Sequence, residues 1–225
     1  MKMLYHGLGL AAAFCLMFVV LITSVEAVAY GIDGYFEKQY AKYHVLERVR
    51  MEMEDLLLVT DEMMEYLKGE REDLVVNTIV DGKEREFFNE KEKRHMVDVQ
   101  GLFLGAIRLR RLALAVILLC GAILLKKGEK HTLLRMLQWG VGLFLGGMAG
   151  LALLISTDFT KYFTYFHLIF FDNDDWILNP KTDLLINIVP EGFFRDTAYL
   201  IAGLFLAASF LIWLGAGVLR RRAKK

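Results

Sequence analysis

Long apolar runs are the feature that most constrains this chain. A helix that crosses a bilayer core needs roughly 20 mostly apolar residues, and Leu4–Val28, Leu133–Ile155 and Thr197–Leu219 are of that length. A fourth run, Leu112–Leu125, has only 14 residues, so we extend it upstream to Ala106, past arginines at 108, 110 and 111. The pattern predicts a membrane all-α fold, a bundle of four transmembrane helices.

The first run resembles a secretory signal peptide, because Lys2 precedes it and Ala27-Val28-Ala29 is similar to a cleavage site. The apolar core of a signal peptide is only about 7–15 residues long, however. We therefore interpret this run as an uncleaved transmembrane helix.

The short basic segments predict the orientation, since cytoplasmic loops carry an excess of Lys and Arg. They are Lys2, the turn 127–131 and the tail 220–225. We expect a multi-pass protein of the bacterial cell membrane with both termini in the cytoplasm. The predicted transmembrane helices are 1–30, 106–126, 132–156 and 196–219, and the extracytoplasmic segments are 31–105 and 157–195.

Composition excludes several function classes. Lys plus Arg equals Asp plus Glu at 27 each, which argues against a nucleic-acid partner. Both cysteines, Cys15 and Cys120, lie in apolar runs, so they predict neither a disulfide framework nor a zinc motif. We expect no cofactor.

The first outer segment predicts a small α+β cap. Met51–Lys68 has helical spacing and is followed by Gly69, a typical helix stop. Leu74–Val80 and Lys83–Phe88 flank Asp81-Gly82, the signature of a β-hairpin. From Asn89, which can cap it, a polar helix is predicted to run into the second transmembrane helix.

Glycines at 142, 146 and 150 repeat at four-residue spacing in the third apolar run. Small residues allow a neighbouring helix to approach closely. We interpret the repeat as a helix-packing surface.

The second outer segment interleaves aromatic and acidic residues. This combination is typical of an interfacial pocket for an amphipathic ligand, with apolar walls and a few polar groups. The members that we take as candidate binding or supporting residues are Phe166, Phe170, Asn173, Asp174, Trp176 and Glu191.

Two of the five histidines, His95 and His167, are predicted to lie in one layer, where the cap meets the outer membrane surface. Imidazole suits proton transfer near neutral pH. Metal binding is the rival interpretation, with Asp98 and Asp174 completing the site. His6, His44 and His131 are expected at the surface, and no serine or cysteine lies beside either central histidine to serve as a nucleophile.

Two segments resemble the signatures of the bacterial lipoprotein intramolecular transacylase family, an integral membrane family formerly of unknown function. Phe88–Val99 resembles the first signature, and Phe166–Trp176, with Asn179–Ile186 and Pro190–Phe194, resembles the second. The resemblance implies an acyltransferase without cofactor that moves the sn-2 acyl chain of a diacylglyceryl-cysteine lipoprotein to the cysteine α-amino group. The product is a lyso-form lipoprotein.

The resemblance also implies that His95 and His167 are the catalytic pair, with their acid and base roles left open. The nucleophile then belongs to the substrate, and the oxyanion could be stabilised by Asn89, Asn173, Arg94 or the second histidine. Asp98, Asp174 and Glu191 are supporting candidates. The expected partners are a diacylated lipoprotein and membrane lipid; the alternatives are a non-enzymatic lipid-binding sensor or assembly factor and a metal-dependent hydrolase.

Overall fold

The computed structural model describes residues 1–223. The last two residues of the predicted cytoplasmic tail, Lys224 and Lys225, lie outside the described residues. In chain order the elements are α1 (Lys2–Tyr30), α2 (Tyr35–Lys42), α3 (Val45–Val49), α4 (Met53–Lys68), β1 (Asn77–Val80), β2 (Lys83–Glu86), α5 (Glu90–Lys126), α6 (Lys130–Thr157), α7 (Phe159–Phe170), α8 (Leu185–Ile188) and α9 (Glu191–Arg222).

The chain divides into two compact units, which we describe separately. The membrane-helix unit comprises Met1–Gly31, Ala106–Thr157 and the chain from Ala198 onward. The cap unit comprises Ile32–Gly105 and Asp158–Thr197.

Within residues 1–223, three helices are long and apolar enough to cross a membrane: α1, α6 and α9. They coincide with three of the four predicted transmembrane helices and confirm that these runs form helices of membrane-spanning length. The second half of α5 is not apolar over a membrane-spanning length. Its uncharged stretch Leu112–Leu125 covers only about 21 Å at 1.5 Å per residue, whereas the bilayer core is about 30 Å thick. The four-helix bundle therefore stays a prediction.

An ion pair that the sequence did not predict lies just before the apolar run of α5. Arg110 of α5 pairs with Glu26 of α1, and both side chains are largely shielded from solvent. A paired arginine costs far less inside an apolar helix than a lone one. The pair explains how an arginine is accommodated next to the apolar run of α5.

Helix α1 packs closely against α6 at two glycines. A Cβ atom on Gly9 would lie 2.7 Å from Met136 Cβ, and one on Gly140 would lie 2.5 Å from Ala13 Cβ. Only a hydrogen atom fits at these positions, so the two glycines fix the register of the pair. Met17, Val141 and Phe205 form the fully buried centre of α1, α6 and α9.

The predicted packing surface of the glycine repeat is wrong at two of its three positions. A Cβ on Gly142 would lie 3.4 Å from Trp213 Nε1, an ordinary contact, whereas Gly146 and Gly150 have nothing within 4 Å. The close approach occurs at Gly140 instead, because the face of α6 that meets α1 depends on how the helix is rotated.

The cap unit confirms the predicted local structure. Helix α4 begins at Met53, two residues later than predicted, and ends at Gly69, whose φ of 76° is the left-handed value that glycine tolerates. The hairpin pairs β1 with β2 in antiparallel register around Asp81 and Gly82, which have φ values of 52° and 71°. Two positive φ values define the two-residue turn that matches strand twist, although both strands are shorter than predicted.

Candidate active site

His95 lies in the second turn of α5 and is buried, with 8% of its surface exposed. Burial, together with the nearby His167 ring, lowers the pKa of His95 to about 4, against the weaker opposing effects of Asp98 and Asp175. The imidazole is therefore neutral at pH 7. Its Nδ1 atom is buried and has no hydrogen-bond partner among the residues that the structure describes.

His167 lies in the last turn of α7 and is equally buried. Its Nδ1 atom is 2.7 Å from the carbonyl oxygen of Phe163, one helical turn earlier. Because a carbonyl can only accept, Nδ1 must carry the proton and Nε2 is left with a free lone pair. Burial lowers the pKa of His167, and the bond to Phe163 offsets this in part.

The two imidazoles face each other within an aromatic enclosure. Their ring centroids are 6.1 Å apart and their planes are inclined by 32°. Trp176 stacks on His167 at 4.8 Å, and the buried Phe171 meets His95 edge-on at 5.2 Å. Phe163 and Phe166 meet the His167 ring edge-on at 4.4 Å and 5.6 Å. The enclosure keeps water from both rings and accounts for their low pKa values.

The first turns of α5 are hydrogen-bonded at successive positions to the segment 173–185. Lys91 donates to the carbonyl oxygen of Ile177, and Arg94 holds Asp175 with two bonds of 2.9 Å and 2.8 Å. Asp98 accepts a 2.8 Å bond from the amide of Asn173. These contacts fix Trp176, which lies within the segment, relative to His95.

A buried carboxylate anchors the end of the same segment. Glu92 is only 1% exposed; it accepts a 2.8 Å bond from the backbone N–H of Asn89 and a 2.6 Å bond from that of Leu185. Burial raises the pKa of Glu92, with the backbone bonds acting in the opposite direction. Asp183 is joined to the cluster through a 3.0 Å bond from the side chain of Asn89.

The predicted supporting residues fall into two groups. Phe166, Asp98, Asn173 and Trp176 lie at or next to the histidine pair. The others have different roles. Asn89 caps α5, because its side-chain oxygen accepts bonds from the backbone N–H groups of Lys91 and Glu92. Arg94 is paired with Asp175, and Glu191 accepts a bond from Thr160. Phe170 and Asp174 are exposed.

Four residues that shape the site are not among the predicted site residues: Phe163, Phe171, Asp175 and Glu92. Phe163 could have been found, because it precedes His167 by four residues and helical residues at that spacing are neighbours. The partner of Glu92 could not, since Leu185 is 93 residues away.

The rival metal site lacks a ligand set. Among residues 1–223, no group of three or more His, Cys, Asp or Glu side chains converges closely enough to hold a metal ion. Asp174, proposed as one ligand, is exposed.

Solved structures with the same fold come from Bacillus cereus. The in meso structure of its membrane integral lipoprotein intramolecular transacylase matches with a TM-score of 0.81, 20% identity and complete coverage of both chains. A variant of that protein with one histidine replaced by alanine matches at TM-score 0.78 and 21% identity, over 98% of this chain and 96% of that one. A variant with arginine at that histidine matches at 0.77 and 22%, over 99% and 95%.

The sequence comparisons place the chain in a family. No curated protein matches it. The family model described as lipoprotein intramolecular transacylase Lit matches residues 10–194, most of the 225-residue chain. The chain therefore belongs to the lipoprotein intramolecular transacylase family, whose members are acyltransferases.

Proposed function

We propose that this chain transfers the sn-2 acyl chain of a diacylglyceryl-cysteine lipoprotein to the α-amino group of the same cysteine. We propose that His95 and His167 serve this reaction, one by moving the proton and the other by stabilising the oxyanion. The observation that supports it best is the pair of buried, neutral imidazoles facing each other at 6.1 Å. Such a pair can accept and donate protons without a large change of charge in the site.

The absence of a protein nucleophile fits this reaction. The chain has three serines and two cysteines, at positions 24, 156, 209, 15 and 120, and all five belong to the membrane-helix unit. The cap unit, which contains both histidines, therefore has neither a serine nor a cysteine. A nucleophile supplied by the substrate amine removes the need for one.

We assign the base to His167. Its Nδ1–H is held by the Phe163 carbonyl, so Nε2 is the atom that can take a proton from the substrate nitrogen. As the C–N bond forms and the bond between the acyl carbon and the glyceryl oxygen breaks, that oxygen must gain a proton. His167 can pass on the proton that it took from the nitrogen, while His95, whose pKa is about 4, stays neutral and can donate an N–H hydrogen bond to the oxyanion.

The aromatic enclosure supplies positioning. Amine and ester belong to one molecule, so the substrate must fold until they meet, and holding reactants in place is worth roughly 7–11 kcal/mol. Phe166, Phe171 and Trp176 offer flat apolar walls to the acyl chain and glyceryl group. We regard Asn89, Arg94 and Glu191 as structural supports, and we assign no role to the exposed Asp174.

The topology follows from the same assignment. We propose four transmembrane helices with cytoplasmic termini and an extracytoplasmic cap unit that carries the histidines. Extending the second helix from Ala106 to Lys126 gives about 32 Å, enough for the bilayer core of about 30 Å. The Arg110–Glu26 pair supports this extension, because it compensates the arginine that the helix must include.

The test is conversion of a synthetic diacylglyceryl-cysteine peptide by purified protein, followed by mass spectrometry of the N-acyl product. We expect His95→Ala and His167→Ala each to lose at least about a hundredfold in rate, the usual scale for general acid–base groups. Thermal unfolding of each variant shows whether the loss reflects misfolding.

The matched control is His44→Asn, which changes an exposed histidine of the same unit. Asparagine suits this position because its φ is 51°, and we expect full activity. Wild-type rates for either site variant, or an equal loss in the control, would contradict the assignment.

A further inference from the structure

A polar cavity in the membrane-helix unit has no part in the proposed reaction. It has a volume of about 300 Å³ and lies at the beginnings of α1 and α6. Its lining is Lys2, Tyr5, His6, Glu129, His131, Thr132 and Arg135. The sequence reading expected His6 and His131 at the surface, but both are partly buried here.

Two cations of this cavity have no anionic partner. Among residues 1–223, neither Lys2 nor Arg135 has a carboxylate oxygen within 4 Å. Arg135 Nη2 is 2.5 Å from His6 Nε2, and because arginine cannot give up its proton, it donates and His6 is the neutral acceptor. The bond orients the guanidinium but leaves its charge uncompensated.

Two nitrogen atoms of the lining are buried and have no hydrogen-bond partner within the described part of the chain. They are Arg135 Nε and His131 Nε2, and the first is always a donor. An unpaired buried N–H costs about 1–3 kcal/mol, so the site favours an occupant that accepts hydrogen bonds. The one carboxylate of the lining, Glu129, already accepts a bond from Thr132 Oγ1.

The cavity is also rigid. Close packing of Gly9 on Met136 and of Gly140 on Ala13 fixes α1 against α6. The backbone positions from which Lys2 and His6 extend are therefore set relative to those of His131 and Arg135. A preformed array of donors loses little freedom when it binds an anion.

We propose that this cavity binds the phosphate group of an anionic membrane phospholipid. Phosphate offers several acceptor oxygens to a forked guanidinium and an ammonium. Both helices that form the cavity are of membrane length and start here, which places it at headgroup depth. Exposed lysines at 126, 127 and 130 flank it, and basic pockets between transmembrane helices recognise phosphorylated headgroups.

Native mass spectrometry of the delipidated full-length protein with added phosphatidylglycerol tests the proposal. We expect retained phosphatidylglycerol, about tenfold weaker binding in Arg135→Gln, and a smaller loss in Lys2→Gln, whose side chain is exposed and should not affect folding. The control is Lys127→Gln, which removes a lysine outside the cavity. Because none of these residues belongs to the cap unit, transacylase activity of Lys2→Gln in detergent should be unchanged.

Three outcomes would overturn the proposal. The first is that diacylglycerol, which lacks phosphate, binds as well as phosphatidylglycerol. The second is that Lys127→Gln loses as much lipid binding as Arg135→Gln. The third is that Arg135→Gln and Lys2→Gln both bind phosphatidylglycerol as well as the wild type. Inorganic phosphate, added at constant ionic strength in a thermal-shift assay, separates the two sources of the anion. Stabilisation by phosphate without retention of the lipid would reassign the site to a soluble anion and refute the lipid.

Discussion

Glu92 provides the sharpest test of how the cap unit holds its histidines in place. Its carboxylate accepts backbone N–H bonds from Asn89 and from Leu185, residues that begin two different helices. Replacing it by alanine leaves both N–H groups without an acceptor in a buried place. The perturbation lies three residues before His95 and touches no atom that we assign to the reaction.

The two bonds give the magnitude. A hydrogen bond to a charged acceptor contributes about 1.5–3 kcal/mol, so the pair is worth about 3–6 kcal/mol. Part of this is offset, because burial raises the pKa of Glu92 and so makes its ionised form costly. We expect Glu92→Ala to lower the free energy of unfolding by about 2–4 kcal/mol, or the Tm by roughly 10 °C.

Glu92→Gln should fall between wild type and Glu92→Ala. Its amide oxygen can accept one of the two bonds, but its NH2 group faces the other N–H as a second donor. In the transacylase assay we expect kcat to fall by about tenfold or more in Glu92→Ala, because small displacements of positioned groups are costly, while KM changes less.

Glu90→Ala is the matched control. Glu90 lies in the same first turn of α5, but its side chain is exposed and is paired only with Lys93, so its loss should cost at most about 1 kcal/mol. Equal Tm values for the two alanine variants, in differential scanning fluorimetry, would refute the reasoning.

Two further predictions concern pH and helix packing. The folded-state pKa of His95, about 4, lies below its ordinary 6.5, so its contribution to stability is present above pH 6.5 and is lost as the pH falls through 4. Unfolding measured across this range should show a loss of up to about 3 kcal/mol that is smaller in His95→Phe. Gly140→Ala should destabilise by about 1–3 kcal/mol because its Cβ would meet Ala13, whereas Gly146→Ala on the same helix should be neutral or slightly stabilising; equal effects would contradict the packing.

The sequence was sufficient wherever a local rule determines the structure. Asp81-Gly82 predicts its hairpin because two consecutive positive φ values suit few other pairs. Gly69 predicts the end of α4 for a similar reason. Three apolar runs predict three membrane-length helices, since length and hydropathy are properties of the sequence itself.

It was insufficient wherever the rotation of a helix decides a contact. The repeat at Gly142, Gly146 and Gly150 is real, but the face that meets α1 carries Gly140. The same holds for His131, expected at the surface, whose Nε2 is buried. Spacing along a helix shows which residues share a face, but not which neighbour that face meets.

The low pKa values of the two histidines constrain the order of events in the proposed reaction. The substrate α-amine has an ordinary pKa of about 7.7–8.0, and a neutral His167, whose pKa is lowered by burial, is a weaker base than that amine. The fraction of amine that is already neutral must therefore attack the ester first. Attack makes the nitrogen positive and its protons far more acidic, and at that point Nε2 can accept one. The same proton then passes from His167 to the departing glyceryl oxygen, so both imidazoles end the reaction neutral. Burial makes His167 a poor base for the free ammonium group. It remains strong enough for the tetrahedral intermediate, whose N–H protons are far more acidic.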